Sequence, residues 1–462
     1  MAMTSTNNSA SVQTSGATSS GYGPALAVLT TLFFIWGSLT SLNDVLIPFA
    51  QHVFSLNLAE SMLIQTAFFL AYFVISLPAA KIIDWIGYKR AIIVGLSTMV
   101  AACLLVYPAA KIPSFPFFLA ALMILASGIT VLQVAANPYV AVLGRPETAS
   151  SRLNLTQAFN SLGTAVFPWV GARLILGETV SAAAQAASQD AVIKLYVYFF
   201  AILLVLLAIL FAVFKLPKIE SAERHAGEKI NDSIWKHPNL PLGAIGIFVY
   251  VGAEVAIGSS IANYLALDNI GHFATDIADP AARYHSALAV AARYISLYWL
   301  GAMVGRFIGS AVLQKVKTST VLAFCAAMAT LLVVLTVLTN GHFAMWSVLS
   351  IGLFNSIMFP SIFTSGIAEL GPLTGDGSGL LNMAIVGGAI IPWVVGRIGD
   401  AINHAYYPSM IQGETSWGQG IHYALIISAL CYLYILFYAV SGSKPNSERY
   451  GNSRATSAEA RT

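Results

Sequence analysis

Two carboxylates stand where a carboxylate is costly. Asp44 lies in Trp36-Gly37-Ser38-Leu39-Thr40-Ser41-Leu42-Asn43-Asp44-Val45-Leu46-Ile47-Pro48, and the apolar run continues past Pro48 to Phe54. Glu254 lies in Tyr250-Val251-Gly252-Ala253-Glu254-Val255-Ala256-Ile257-Gly258. Away from water the charged form of a carboxylate is disfavoured. Such a group can take up and release a proton near neutral pH, or hold a sodium ion while ionised. Either chemistry makes Asp44 and Glu254 candidate cation-coupling residues. The competing readings are an interfacial cap for Asp44 near Pro48 and a packing role for Glu254 beside a polar neighbour.

Uncharged amides accompany them. Gln133 sits in Leu132-Gln133-Val134-Ala135-Ala136-Asn137-Pro138, and Gln157 and Asn160 are spaced i and i+3, on one helical face. Asn43, Asn263, Asn355 and Asn382 complete the set. Bidentate amides suit the vicinal hydroxyls of a sugar, and Trp36, two turns from Asp44, could stack on a sugar ring. The alternative for each amide is a hydrogen bond between neighbouring helices.

The elements that must carry these groups follow from composition. Hydrophobic residues make up 57% of 462 positions and charged residues 9%, where a soluble domain carries about 25% charged. About twenty apolar residues span a bilayer as a helix. Twelve such stretches are expected, near 26–54, 61–83, 90–109, 115–143, 153–176, 194–215, 241–266, 286–313, 319–339, 343–367, 378–402 and 420–441. Continuous apolar runs of this length exclude a β-barrel. The fold class expected is therefore an all-α membrane protein of two six-helix bundles. Residues 1–24 read as a disordered tail, 25–215 as the first bundle, 216–240 as a charged loop, 241–441 as the second bundle and 442–462 as a second tail.

Most of the 23 Lys and Arg fall in loops on one side of this arrangement. The other side holds only Lys111, Arg173, Lys194, Arg283, Arg293 and Arg397. The positive-inside rule then places both termini in the cytoplasm. The net charge of +3, without a basic, aromatic-interleaved patch, gives no reason to expect nucleic acid. Cys103, Cys325 and Cys431 lie in apolar runs without metal-ligand spacing, and neither a metal nor another cofactor is expected.

Two weak repeats tie the halves together. Pro168-Trp169-Val170-Gly171-Ala172-Arg173 echoes Pro392-Trp393-Val394-Val395-Gly396-Arg397, and Asn137-Pro138 with Gly144 echoes Phe359-Pro360 with Gly366. Duplicated parallel halves with a site between them are a transporter architecture. The loop Asp84-Trp85-Ile86-Gly87-Tyr88-Lys89-Arg90 joins an acid, a glycine turn and a basic pair. Its second-half counterpart is Gly305-Arg306-Phe307-Ile308-Gly309 with Lys315 and Lys317. Asp84, Lys89, Arg90 and Arg306 are thus candidates for an ion-pair latch that breaks when the halves rock.

At these residues the chain resembles the fucose–galactose–glucose:cation symporter family of the major facilitator superfamily. The resemblance covers about residues 25–440. It rests on Phe34-Ile35-Trp36-Gly37, Leu42-Asn43-Asp44-Val45-Leu46-Ile47-Pro48, Ala135-Ala136-Asn137-Pro138-Tyr139-Val140, Gln157-Ala158-Phe159-Asn160-Ser161-Leu162-Gly163 and Gly301-Ala302-Met303-Val304-Gly305-Arg306. It implies that Asp44 matches the family's proton-handling aspartate, and that Trp36, Gln157 and Asn160 match sugar-contacting positions. It also implies that helices 1, 4, 5, 7, 10 and 11 line the cavity. Fucose-type members carry a glutamate where this chain has Gln133, and a glutamine cannot titrate. That departure looks more like the glucose/galactose branch, which includes N-acetylglucosamine carriers.

The expectation is a secondary transporter of the bacterial inner membrane. It would import a neutral hexose or N-acetylhexosamine with H+ or Na+, as a monomer in the lipid bilayer. The main rival is the same fold carrying a drug or peptide outward. An intramembrane enzyme would need a nucleophile–base pair or metal ligands within the spans. None of the eight histidines lies at the centre of an expected span, and no such pair is visible.

Overall fold

A computed structural model describes residues 22–54, 63–112, 114–171, 190, 192–217, 232–273, 275–406 and 418–447. Side chains of 43–49, and of a few residues elsewhere, lie outside what it describes. The expected tail 1–24 falls almost wholly outside, as does most of the 216–240 loop. The expected C-terminal tail begins later than 442. Asn446 Nδ2 donates to the Lys236 carbonyl at 2.9 Å, and Ser447 Oγ bonds to Glu369, so residues through 447 are held to the body.

Twelve helices cross the described structure. They are α1 (Gly23–Phe54), α2 (63–86), α3 (88–111), α4 (Phe115–Val142), α5 (Ala149–Gly171) and α6 (Lys194–Val213) in the first half. The second half holds α7 (Asn239–Leu265), α8 (280–312), α9 (Thr318–Leu338), α10 (Gly341–Gly366), α11 (Gly371–Tyr406) and α12 (Gln419–Gly442). Gly87 separates α2 from α3. It takes φ 77° and ψ 165°, a region that only glycine adopts without strain, so the apolar run must break there. Ser114 in extended conformation, with Pro116 just inside the next helix, starts α4. In α10 the run is interrupted at Ser356 and Ile357 between Gly341–Asn355 and Met358–Gly366.

Among the described residues, ten stretches are long and apolar enough to cross a membrane, the one over Leu63–Ala109 containing both α2 and α3. The chain is a multi-pass membrane protein. α5 falls short of that apolarity, and its burial explains why. Ser150, Ser151, Asn154, Thr156, Gln157 and Ser161 are all buried, so its polar groups meet protein rather than lipid.

The repeat read in the sequence reappears as packing. A Cβ on Gly163 of α5 would lie 2.4 Å from the Phe34 carbonyl oxygen of α1. A Cβ on Gly387 of α11 would lie 2.0 Å from the Phe248 carbonyl oxygen of α7. Each half thus closes its first helix onto its fifth at a glycine, where backbones approach without a side chain between them. The two fifth helices also reach across: α5 packs on α8, and α11 packs on α2 and α4.

Candidate functional site

Contacts between the halves gather at the end that carries the 84–90 loop. Lys81 Nζ of α2 donates to Asp376 Oδ1 of α11 at 2.7 Å and lies 3.5 Å from Asp84 Oδ2. Ser151 Oγ donates to the Ser310 carbonyl at 2.7 Å, and Ser310 Oγ returns a bond to the Ser151 carbonyl at 3.1 Å. Ser150 Oγ meets Thr364 Oγ1 at 2.5 Å and accepts from Thr318 Oγ1 at 2.9 Å. Ser378 Oγ of α11 donates to the Val134 carbonyl of α4 at 2.7 Å. Small hydroxyl side chains thus zip α4 and α5 to α8, α9, α10 and α11.

Within this frame the candidate latch residues separate. Asp84 belongs to the ion triad with Lys81 and Asp376, two partners that sequence reasoning missed. Lys89 Nζ instead donates to the Ala212 carbonyl at the end of α6, at 3.0 Å, inside its own half. Arg90 is exposed. Arg306 sits six residues, or about 9 Å of helix, before the end of α8. Its Nε donates to the Ser356 carbonyl of α10 at 3.1 Å. Its Nη1 donates to Ser161 Oγ and, at 3.5 Å, to the Gln157 carbonyl of α5. Arg306 therefore links the halves within the helices rather than in a loop.

The amides divide in the same way. Asn160 Nδ2 donates to the Phe33 carbonyl at 3.0 Å, so this group binds α5 to α1. Asn263 Oδ1 accepts from Tyr284 OH at 2.9 Å. Asn355 Nδ2 donates to Tyr298 OH at 2.6 Å. Asn382 Nδ2 donates to the Ser378 carbonyl, one turn back, at 2.8 Å. Gln157 Nε2 reaches Asn137 Oδ1 at 3.5 Å.

Several buried polar atoms have no partner among the described residues. They include Gln133 Oε1, Asn137 Nδ2 and Asn382 Oδ1. Buried polar groups are nearly always satisfied. These cluster around one contact, because Ser378 joins Asn382 to the α4 turn that carries Gln133 and Asn137. A polar guest with hydroxyls to donate and accept would answer them.

Trp36 is buried, with its ring centroid 5.1 Å from that of Phe33, and its indole lies beside the Tyr72 hydroxyl. Asn43 and Asp44 fall on the helical backbone of α1, with side chains outside the described ones. Glu254 lies mid-way along α7, where Tyr250 OH donates to its Oε1 at 2.7 Å. Tyr298 OH approaches the Glu254 carbonyl at 3.4 Å. Tyr250, Tyr298 and Tyr432 were absent from the sequence-based set, because a tyrosine in an apolar run reads as core. Among the described residues no group of three or more His, Cys, Asp and Glu gathers as a metal site.

The sequence pattern of the Major Facilitator Superfamily matches residues 25–392. The chain belongs to the Major Facilitator Superfamily. It is 48% identical over 440 residues to a glucose/galactose transporter of Brucella abortus, covering 95% of this chain and 98% of that one. A putative glucose/galactose transporter of Helicobacter pylori is 39% identical, covering 91% and 97%. The L-fucose-proton symporter of Escherichia coli is 31% identical, covering 89% and 92%. The structure of that organism's fucose:proton symporter in the outward conformation superposes with a TM-score of 0.77 at 29% identity, covering 92% and 99%. A proton:xylose symporter at 10% identity and TM-score 0.63 shares the fold. These relatives bear out the family resemblance read from the motifs around Trp36, Asp44, Asn137 and Gln157. They are transporters rather than enzymes.

Proposed function

We propose that this superfamily member imports a neutral hexose or N-acetylhexosamine by symport with H+ or Na+ across the bacterial plasma membrane. Both termini would lie in the cytoplasm, as the distribution of Lys and Arg favours. The observation that carries the reading is the set of unpartnered buried amide atoms on Gln133, Asn137 and Asn382, next to Gln157 on α5. Relatives named for glucose and galactose transport, 48% and 39% identical along nearly the whole chain, support a hexose as the guest. In this reading the described interbundle contacts close the cytoplasmic end, and sugar enters from outside.

The cation belongs at Asp44. An ionised, unpaired carboxylate between the bundles opposes their closure through its desolvation cost. A bound proton or sodium ion removes that cost, and the bundles can then close over sugar. A ligand shifts such an equilibrium only by its differential affinity for the two states. Trp36, Gln157, Asn160 and Asn382 are assigned to the sugar, with Asn43, Asn263 and Asn355 as further candidates. Glu254 is the matching carboxylate of the second half.

Uptake into proteoliposomes tests this. Labelled glucose, galactose, N-acetylglucosamine and fucose are offered under separately imposed proton and sodium gradients. Concentrative uptake of a hexose under one gradient is expected. Failure to accumulate any of these sugars under either gradient would overturn the reading and return weight to another cargo.

A further inference from the structure

Proline has no backbone N–H to donate. Inside a helix it leaves the carbonyl four residues earlier without its usual partner. At membrane depth a neighbouring group must satisfy that carbonyl. Pro138 lies inside α4, and the carbonyl it frees belongs to Val134. The hydroxyl of Ser378, on α11 of the other half, donates to this carbonyl at 2.7 Å. Val134 and Ser378 are both fully buried.

The second half repeats the device. Pro360, the repeat counterpart of Pro138, frees the carbonyl of Ser356 where α10 is interrupted. The half-buried Arg306 donates to it through Nε at 3.1 Å, and its Nη1 continues to Ser161 Oγ on α5. Each freed carbonyl takes a side-chain donor from another helix, and both arrangements reach the seam between the halves.

The Val134 bond lies among the candidate sugar-binding amides. Gln133 stands one residue before Val134 on α4, and Asn137 three after it. Asn382 Nδ2 donates to the Ser378 carbonyl at 2.8 Å and lies 3.3 Å from Ser378 Oγ. One hydroxyl therefore touches an amide of the second half and the backbone of the first. Around it Gln133 Oε1, Asn137 Nδ2 and Asn382 Oδ1 have no partner among the described residues.

We propose that Ser378 is a positioning residue of the transport reaction. It fills the Val134 carbonyl that Pro138 leaves free, and so registers Asn382 against Gln133 and Asn137 across the seam. Pro138 is then kept inside α4 for the acceptor it exposes. What the amides bind rests on the sugar-symport reading; the bond from Ser378 to Val134 rests on geometry alone.

The test uses the full chain in lipid nanodiscs, with Cys103, Cys325 and Cys431 replaced by alanine and spin labels at Glu147→Cys and Lys315→Cys. Both label positions are exposed, one before α5 and one after α8, and their separation reports whether this end is joined. Ser378→Ala leaves the Val134 carbonyl without a donor and should lower the joined population about fivefold. Pro138→Ala gives that carbonyl a donor within α4. Ser378→Ala added to Pro138→Ala should then change the population by less than about twofold. Additive effects in this cycle would show that Ser378 does not serve the proline-freed carbonyl, and overturn the proposal. Unchanged distances in Ser378→Ala alone would overturn it as well, and that single variant decides the matter should Pro138→Ala fail to fold.

Positioning has a separate readout. Ser378→Ala should raise KM for sugar exchange about fivefold, and Ser378→Thr, which keeps the hydroxyl, should recover most of the loss. Ser151→Ala breaks another bond across the seam, six residues before Gln157, and should move the distances with KM nearer its starting value. An equal rise of KM in Ser378→Ala and Ser151→Ala would reduce Ser378 to a gate contact and overturn the positioning role. The distance cycle needs no sugar, so absence of transport by the unmodified chain would defeat the symport reading without touching that result.

Discussion

Lys81 and Asp376 are 295 positions apart in the chain and 2.7 Å apart in space. Their ion pair ties α2 to α11 at the edge of the joined end, with Asp84 as a third member. Half of the Lys81 side chain is open to solvent, so the pair is worth at most about 1 kcal/mol. Lys81→Gln or Asp376→Asn should therefore shift the balance toward separation of this end by about fivefold or less, read from the distance between spin labels at Glu147→Cys and Lys315→Cys, exposed positions before α5 and after α8. The exchange Lys81→Asp with Asp376→Lys should restore it. A shift that persists in the exchanged protein would mean the effect is not the ion pair.

Asp44→Asn should abolish accumulation of sugar against a gradient while leaving exchange of labelled for unlabelled sugar. An amide cannot take up a proton and neutralises the site permanently, so loading and unloading no longer alternate. Retained accumulation in this variant would remove Asp44 from the coupling role.

Gln157→Ala and Asn160→Ala should both weaken sugar binding by about tenfold, the scale of a lost hydrogen bond to a buried partner. Their stabilities should differ. Asn160 also holds the Phe33 carbonyl, so its loss costs about 1 kcal/mol of folding, whereas Gln157→Ala leaves the α1–α5 seam intact. Ligand-dependent melting of the detergent-solubilised chain separates the two effects.

Gly163→Ala should destabilise the first half severely. Its methyl group would sit 2.4 Å from a backbone carbonyl that cannot move aside alone, and overpacking of this kind costs about 1–3 kcal/mol or more. Gly387→Ala should do the same to the second half. Unchanged melting temperatures for both would show that the helices separate without cost.

Ahead of α7, His237 Nε2 meets Asp232 Oδ2 at 2.7 Å. His237 and the Ser233 N–H hold the Asp232 carboxyl below the usual carboxylate range. A depressed carboxyl adds stability above its unfolded pKa, near 3.9, and loses it as pH falls through the lower folded value. The protection factors of the amides in 232–237, that is, exchange divided by its intrinsic pH-dependent rate, should therefore fall below about pH 4 and stay level there in Asp232→Asn.

The helices were legible because lipid imposes a length, and each apolar run of about twenty residues reports itself. Gln157 and Glu254 stand out because polar groups in such runs are rare, and Asp84 because its loop joins an acid, a glycine turn and a basic pair. Lys81 and Asp376 do not, since each alone resembles an ordinary charge at a helix end and only the fold joins them. Arg306 was noticed for its place in a loop-like motif, and its reach to Ser161 depends on how α8 crosses α5. The tyrosines around Glu254 were hidden by their own apolarity.

The polarity of α5 bears on how the protein is made. Ala149–Gly171 carries buried serines, a threonine, an asparagine and a glutamine along a span that must cross the bilayer. On its own such a segment partitions poorly from the translocation channel into the membrane. It must enter as the companion of α4 or α6, or be pulled to depth once α1 is there to receive Asn160. Synthesis of the first half is then an ordered assembly, in which the segment that greets the cargo leaves water only in the company of another helix.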